Sequence, residues 1–429
     1  MSDWRVNDSK SVWHPFTAVN TDTVNVPIVK GEGAWLIDAD GKRYLDAISS
    51  WWVNLHGHSQ PYIAKRVAEQ VMKLEHVMFA GFTHEPAVEL ATRLLEKMPE
   101  QFSKVFYSDN GSTAVEVALK MAFQYWFNKG TPKRKVIALE DAYHGDTFGA
   151  MAVGGRGVFS KPFDPFLFEV EFIPTPVLGK ESEALDKLSQ IIEKEEVASF
   201  IYEPLVQGTA GMQVYSPAVL DKMISMCRDK GIVIIADEVM TGFGRTGSLF
   251  AMDQCEEKPD LIALSKGITG GFLPMGVTVC TDAMHQSFWG DGEEGKMKTF
   301  LHGHSYTANP LACAAGCASL DLMEKDETWE NIHRIEQQHS EFAKEVSALN
   351  GVTDVRHKGT ILAVEYETGT QTGYFNSLRD RLYDFFMERG IILRPLGNII
   401  YIIPPYCITE DELNSVYDAI RQFELEPVA

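Results

Sequence analysis

Three polar residues each follow an apolar run. Glu203 follows Phe200-Ile201-Tyr202, Asp237 follows Ile232-Val233-Ile234-Ile235-Ala236, and Lys266 lies just beyond Leu261-Ile262-Ala263-Leu264. Runs that are apolar at every position read as strands buried on both faces. In an open parallel sheet the ligand crevice lies at the carboxyl ends of the strands, so all three residues fall on the functional edge. Desolvation disfavours the charged form of such a lysine, and the freed amine can attack a carbonyl as a Schiff-base residue. An acid beside a pyridine-type nitrogen keeps that nitrogen protonated, and pyridoxal phosphate needs this partner to act as an electron sink. Asp237 precedes Lys266 by one strand–loop–strand unit, so the two can converge on one cofactor. Taken singly, each could simply be a polar residue leaving a sheet.

A phosphate needs an anion site. Asp109-Asn110-Gly111-Ser112-Thr113 precedes a helical pattern from Ala114 to Phe127. Thr113-Ala114-Val115-Glu116 has capping-box spacing and predicts the helix start there. Backbone N–H groups at that start, with the Ser112 hydroxyl, would cradle a phosphate. Tyr143-His144-Gly145 follows the run Val136–Leu139 and could set a ring against a planar cofactor. Trp51-Trp52 and Trp13-His14-Pro15-Phe16 offer further apolar walls. Two patterns point elsewhere. Gly242-Phe243-Gly244-Arg245-Thr246-Gly247 matches a dinucleotide fingerprint, but it does not directly follow a strand, opens no clear helix, and has Lys266 where an acid is needed. His56-x-His58 and His302-x-His304 lack companions at metal-ligand spacing and read as hydrogen-bonding or loop residues.

The elements that position these groups alternate. Ser182 to Glu195 reads as an amphipathic helix. Another opens at Ser216-Pro217, with Ser as N-cap and Pro in the first turn, and closes at Gly231. Strands separated by helices imply a mostly parallel sheet covered on both sides, an α/β fold. The last hundred residues read as a smaller α/β domain joined by the N-terminal fifty. It has strands at Ile361–Tyr366, Ile391–Arg394 and Ile399–Ile403, a helix over 375–389 closed by Gly390, and a final helix opened by the capping box Thr409–Glu412. The expected domains are 1–55 (N-terminal part of the small domain), 56–325 (large cofactor-binding domain) and 326–429 (C-terminal small domain).

Composition fits this outline. With 429 residues the chain can bury large cores without staples. A net charge of −21 disfavours nucleic acid as a partner. No segment approaches the roughly 18 apolar residues that span a membrane, and the first residues do not resemble a signal peptide. Six scattered cysteines, without a Cys-x-x-Cys pair, suggest a reducing, cytoplasmic compartment. Cys313 and Cys317 read as small buried residues.

Ile234-Ile235-Ala236-Asp237-Glu238-Val239, Thr241-Gly242-Phe243-Gly244-Arg245-Thr246-Gly247 and Leu264-Ser265-Lys266-Gly267 resemble the class III aminotransferases. These are pyridoxal-phosphate enzymes of fold type I, and the resemblance spans nearly the whole chain. Further residues resemble one subgroup: Trp13-His14-Pro15, Ser49-Ser50-Trp51-Trp52, His76-Val77-Met78-Phe79, Tyr143-His144-Gly145-Asp146-Thr147 and Arg394-Pro395. The double Trp and Trp-His-Pro separate that subgroup from ornithine, acetylornithine and 4-aminobutyrate aminotransferases.

The resemblance implies a role for each matching residue. Lys266 would hold the cofactor and shuttle a proton, and Asp237 would pair with the pyridine nitrogen. Gly111 and Ser112 would bind the phosphate, and Tyr143 would stack on the ring and touch substrate. Gly303-His304-Ser305 would reach the phosphate of a partner subunit, making a homodimer with shared sites. Trp51 and Trp52 would line the substrate channel. Arg394 would bind the acceptor's carboxylate through its planar fork. Arg245 would lie in the site region. The implied acceptor is 8-amino-7-oxononanoate, giving 7,8-diaminononanoate in biotin biosynthesis. Phe16 stands where the family often has Tyr. S-adenosylmethionine is the favoured donor, and lysine, used by enzymes similar to the Phe-containing form, is the alternative. Ser305 stands where Thr is common and keeps the hydroxyl. The rival reading is a general ω-amino acid aminotransferase using pyruvate or 2-oxoglutarate.

Overall fold

Seven strands form the central sheet, in the spatial order Phe102–Ser108, Gly276–Thr281, Leu261–Leu264, Val233–Asp237, Val197–Tyr202, Lys135–Leu139, Val170–Ile173. The computed structural model describes residues 4–19, 25–194, 196–369, 372–373 and 375–423. Gly276–Thr281 runs antiparallel to both neighbours, and the other pairs are parallel, as expected of a mostly parallel α/β sheet. Side-chain alternation divides the strands between two cores. Ile137, Leu139, Phe200, Tyr202, Ile234, Ala236, Ile262 and Leu264 enter one. Val136, Ala138, Ala198, Ile201, Val233, Ile235, Leu261 and Ala263 enter the other. Burial on both faces leaves Val233–Asp237 and Leu261–Leu264 without a polar residue until they end, and Val197–Tyr202 with only the small, buried Ser199.

The helix Gly111–Asn128 covers the second face. Ala114, Ala118 and Ala122, four residues apart, are fully buried and let its backbone approach the sheet closely. Its start differs from the expected one. Asn110 is the N-cap: its side chain accepts from Thr113 N–H, and Thr113 Oγ1 accepts from Asn110 N–H. Threonine thus fills the place a glutamate takes in the usual box. Glu116 instead accepts from Thr147 Oγ1 and from the N–H groups of Gly149 and Ala150. The helices Glu181–Lys194 and Pro217–Asp229, the latter N-capped by Ser216, match the sequence reading; Glu195 lies outside the described residues.

Three smaller sheets accompany the large one among the described residues, the smallest pairing Val206–Gln207 with Gln213–Val214. Ile28–Glu32, Trp35–Asp38 and Arg43–Asp46 form an antiparallel meander, and Ile391–Ile392 adds parallel to Arg43–Asp46. Val352–Lys358, Ile361–Tyr366 and Ile399–Ile402 form an antiparallel set. The helix expected over 375–389 spans Leu378–Glu388. The strand expected at Ile391–Arg394 stops at Ile392, because only Ile391 and Ile392 find partners, on Leu45 and Asp46. The final helix, Glu410–Gln422, opens on the Thr409–Glu412 box. None of the described helices is long and apolar enough to cross a membrane.

Candidate active site

Four adjacent parallel strands end side by side and deliver Lys266, Asp237, Glu203 and Tyr143 to one edge. All four line a cavity of about 580 Å³ together with Gly111, Ser112, His144, Gly145 and Trp52. Close packing brings the helix Gly111–Asn128 into this group. Gly276 opens the antiparallel strand 2.2 Å, measured from an added Cβ, from Asn110 O, so only glycine admits the helix start there.

Lys266 opens a short turn with φ +41°. Its Nζ lies 5.1 Å from the centroid of the Trp52 ring. Burial pushes its pKa down, and the charges of Asp237 and Glu203 pull it back up. Asp237 is buried. Its Oδ1 accepts from Val239 N–H, and its Oδ2 is 2.7 Å from His144 Nδ1. Glu203 is buried too, accepts from Tyr143 N–H and Gly208 N–H, and has its pKa pushed up to about 7 by burial. Tyr143 Oη donates to Asp146, and burial raises its pKa.

The helix start fits a phosphate. Asn110 satisfies the N–H groups of Thr113 and Ala114, leaving those of Gly111 and Ser112 at the open end on the cavity wall. Asp146 N–H donates to Ser112 Oγ, and Gly145, at φ +128°, folds against the same hydroxyl. A Cβ on Gly145 would meet Ser112 Oγ at 2.0 Å. A helix start with open N–H groups, a buried acid and a desolvated lysine around one cavity are a donor set that fits pyridoxal phosphate. Gly145→Ala should therefore weaken cofactor affinity about tenfold or more, through overpacking of roughly 1–3 kcal/mol. Fluorescence titration of the apoprotein with pyridoxal phosphate checks this, and an unchanged Kd would remove Gly145 from the cradle.

The second group surrounds the mouth. Ser49, Ser50, Trp51 and Trp52 all have positive φ, between 45° and 75°, a left-handed turn built without glycine. Each such residue costs about 1–2 kcal/mol, and strain of this kind clusters at functional sites. Trp52 points inward and is buried; its Nε1 has no acceptor among the described residues. Trp51 is exposed, with the Arg394 guanidinium 4.7 Å over its ring and Phe16 edge-on at 5.3 Å. Phe159, absent from the sequence reading, packs on Phe16 at 6.0 Å.

Other candidates fall elsewhere. Arg245 is no cavity residue: it is buried and donates to the carbonyls of Trp52, Asn54 and Pro404. The Gly242–Gly247 loop thus clamps backbone. Gly303 and Ser305 are exposed, and His304 leans on Asp109 at 3.4 Å and on His302 at 3.2 Å. None of the three lines this chain's cavity. His56 bonds Ser319 and His58 bonds Asp46, so neither pair gathers metal ligands among the described residues. Cys313 and Cys317 are buried in the helix Pro310–Met323. His144 also went unassigned in the sequence; its place beside Tyr143 was the available signal.

Residues 16–423 match the aminotransferase class III family, and the chain belongs to it. It is an aminotransferase, with a cavity that fits pyridoxal phosphate. It is similar to the adenosylmethionine-8-amino-7-oxononanoate aminotransferase of Synechococcus elongatus, at 46% identity over 95% of this chain and 97% of that protein. The crystal structure of the enzyme of that name from Methanocaldococcus jannaschii superposes with TM-score 0.92 at 38% identity, covering 98% of this chain and 99% of that one. A PLP-bound amine transaminase from an uncultivated Pseudomonas species superposes with TM-score 0.90 at 30% identity, covering 96% and 97%.

Proposed function

We propose that this enzyme transfers an amino group to 8-amino-7-oxononanoate, giving 7,8-diaminononanoate in biotin biosynthesis, with S-adenosylmethionine as donor. The carrying observation is the Arg394 guanidinium stacked on Trp51, one residue from the indole that touches Lys266. A fixed cation outside and an amine inside, with indoles between, suit an acceptor whose carboxylate is remote from its carbonyl. The names of the similar enzymes agree with this reading.

Bound pyridoxal phosphate supplies an electron sink that stores and returns the amino group. Asp237 would keep a proton on the ring nitrogen, and His144 holds that carboxylate in place. Gly111, Ser112 and the Asp146 turn would grip the phosphate. Tyr143, on the cavity wall, would contact the ring. Lys266 Nζ takes a proton from the amine-bearing carbon of the donor and delivers one to the corresponding carbon of the acceptor. The enzyme works as a cytoplasmic homodimer in which Gly303-His304-Ser305 of one protomer completes the phosphate site of the other. The exposure of this loop away from its own cavity supports that reading, and the six unpaired thiols suit a reducing compartment.

The test is a single-turnover absorbance scan of the cofactor-loaded protein mixed with each donor. Loss of the visible band with S-adenosylmethionine, and its return on adding 8-amino-7-oxononanoate, is expected. A response to lysine alone would make Phe16 the mark of a lysine-using enzyme. A return only with pyruvate or 2-oxoglutarate would replace this reading with a general ω-amino acid aminotransferase. Arg394→Ala should raise KM for the keto acid about 10²-fold, the loss of a charged hydrogen bond of roughly 2–3 kcal/mol. It should leave the donor half-reaction unchanged. An unaltered keto-acid KM would remove Arg394 from this role.

A further inference from the structure

We propose that Asp46 is a positioning residue for the substrate walls: its buried carboxylate locks the left-handed Ser49–Trp52 turn that sets Trp52 beside Lys266 and Trp51 beneath Arg394. The inference rests on the reading of Trp51, Trp52 and Arg394 as acceptor-binding groups.

Asp46 ends the strand Arg43–Asp46 and is fully buried. Its Oδ2 accepts from Ser50 Oγ at 2.7 Å and is 2.8 Å from His58 Nε2. Its Oδ1 accepts from Ile48 N–H at 3.2 Å. One carboxylate thus grips the residue before the turn, a residue inside it, and a histidine beyond it. Further ties lead back to the same point. Ser49 Oγ donates to Ile403 O, His58 Nδ1 is 3.2 Å from Asn54 Nδ2, and Arg245 holds the Trp52 and Asn54 carbonyls.

Register connects this anchor to the other wall. Asp46 pairs directly with Ile392, two residues before Arg394. The strand that carries the anchor therefore also fixes where Arg394 emerges. The turn has no glycine to make its backbone conformation easy, so side-chain bonds must hold it. Released, it would relax toward ordinary φ values and swing both indoles, because adjacent side chains on a turn move together. A displacement of about 1 Å at a substrate contact can cost ~10²-fold, so a modest relaxation suffices.

Ser50→Gly separates positioning from folding. Glycine adopts positive φ freely, so the variant should keep or raise Tm while losing the bond to Asp46. Expected with the cofactor-loaded enzyme are an unchanged cofactor absorbance band and an acceptor KM raised about tenfold. Asp46→Asn keeps the shape but weakens the grip, and should shift KM in the same direction. KM is measured with whichever acceptor the wild type uses, so a failure of the functional reading shows in the wild type and a failure of this one only in the variants. A wild-type acceptor KM in both Ser50→Gly and Asp46→Asn overturns the proposal. So does a lowered Tm with equal losses in cofactor affinity and turnover, which would make Asp46 merely structural.

Discussion

Lys266→Ala should bind pyridoxal phosphate measurably yet lose turnover by at least ~10⁴-fold. The residue is asked to do two things that no neighbour can replace. It must offer an uncharged amine, and burial at the floor of the cavity lowers its pKa for that purpose. In the proposed reaction it must also move a proton between substrate and cofactor positions. The other titratable groups lining the cavity are committed: Asp237 to His144, Glu203 to two backbone N–H groups, Tyr143 to Asp146. Lys266→Arg is the informative companion. It keeps a cation beside Trp52, but a guanidinium stays protonated and cannot act as an amine. Stopped-flow measurement of both half-reactions decides the matter, with equilibrium dialysis for the cofactor. Substantial transamination by either variant would mean that Lys266 is not the group that moves the proton.

The sheet edge was legible because burial leaves a strong mark. A strand covered on both faces is mostly apolar, so the polar residues just after the run mark where the chain reaches the crevice. Glu203, Asp237 and Lys266 are found there by that rule alone. Residues whose role depends on tertiary bonds left no such mark. Asn110 took the capping place because Thr113 can reciprocate, a choice invisible in spacing that also allowed a box at Thr113–Glu116. Arg245 carries its charge into a buried site only because three backbone carbonyls converge on it from distant segments. The left-handed turn at Ser49–Trp52 is the least legible of all. Positive φ is ordinarily announced by glycine or asparagine, and here it is imposed by Asp46 and Ser50. Arg394 and Trp51, far apart in sequence, meet through the short parallel pairing of Ile391–Ile392 with Leu45 and Asp46.

Asp237→Asn should lower kcat by about 10²–10³-fold, the usual cost of removing one preorganised charge from a reacting centre. The change is close to isosteric. An asparagine oxygen can still accept from Val239 N–H or from His144, so the fold should persist and the effect should be electrostatic. What disappears is the negative charge proposed to hold a proton on the ring nitrogen. Glu203 cannot take over, because its carboxylate is tied to the N–H groups of Tyr143 and Gly208 and burial pushes its pKa up to about 7. Removing the Asp237 charge should shift the Glu203 pKa down, since the two acids repel one another across His144. Nitrogen-15 NMR of labelled pyridoxal phosphate in the variant should report an unprotonated ring nitrogen, alongside the slow turnover. A protonated nitrogen with wild-type kcat would show that Asp237 is not its partner. A protonated nitrogen with reduced kcat would place the importance of Asp237 in orienting His144 and the ring instead of in the charge itself.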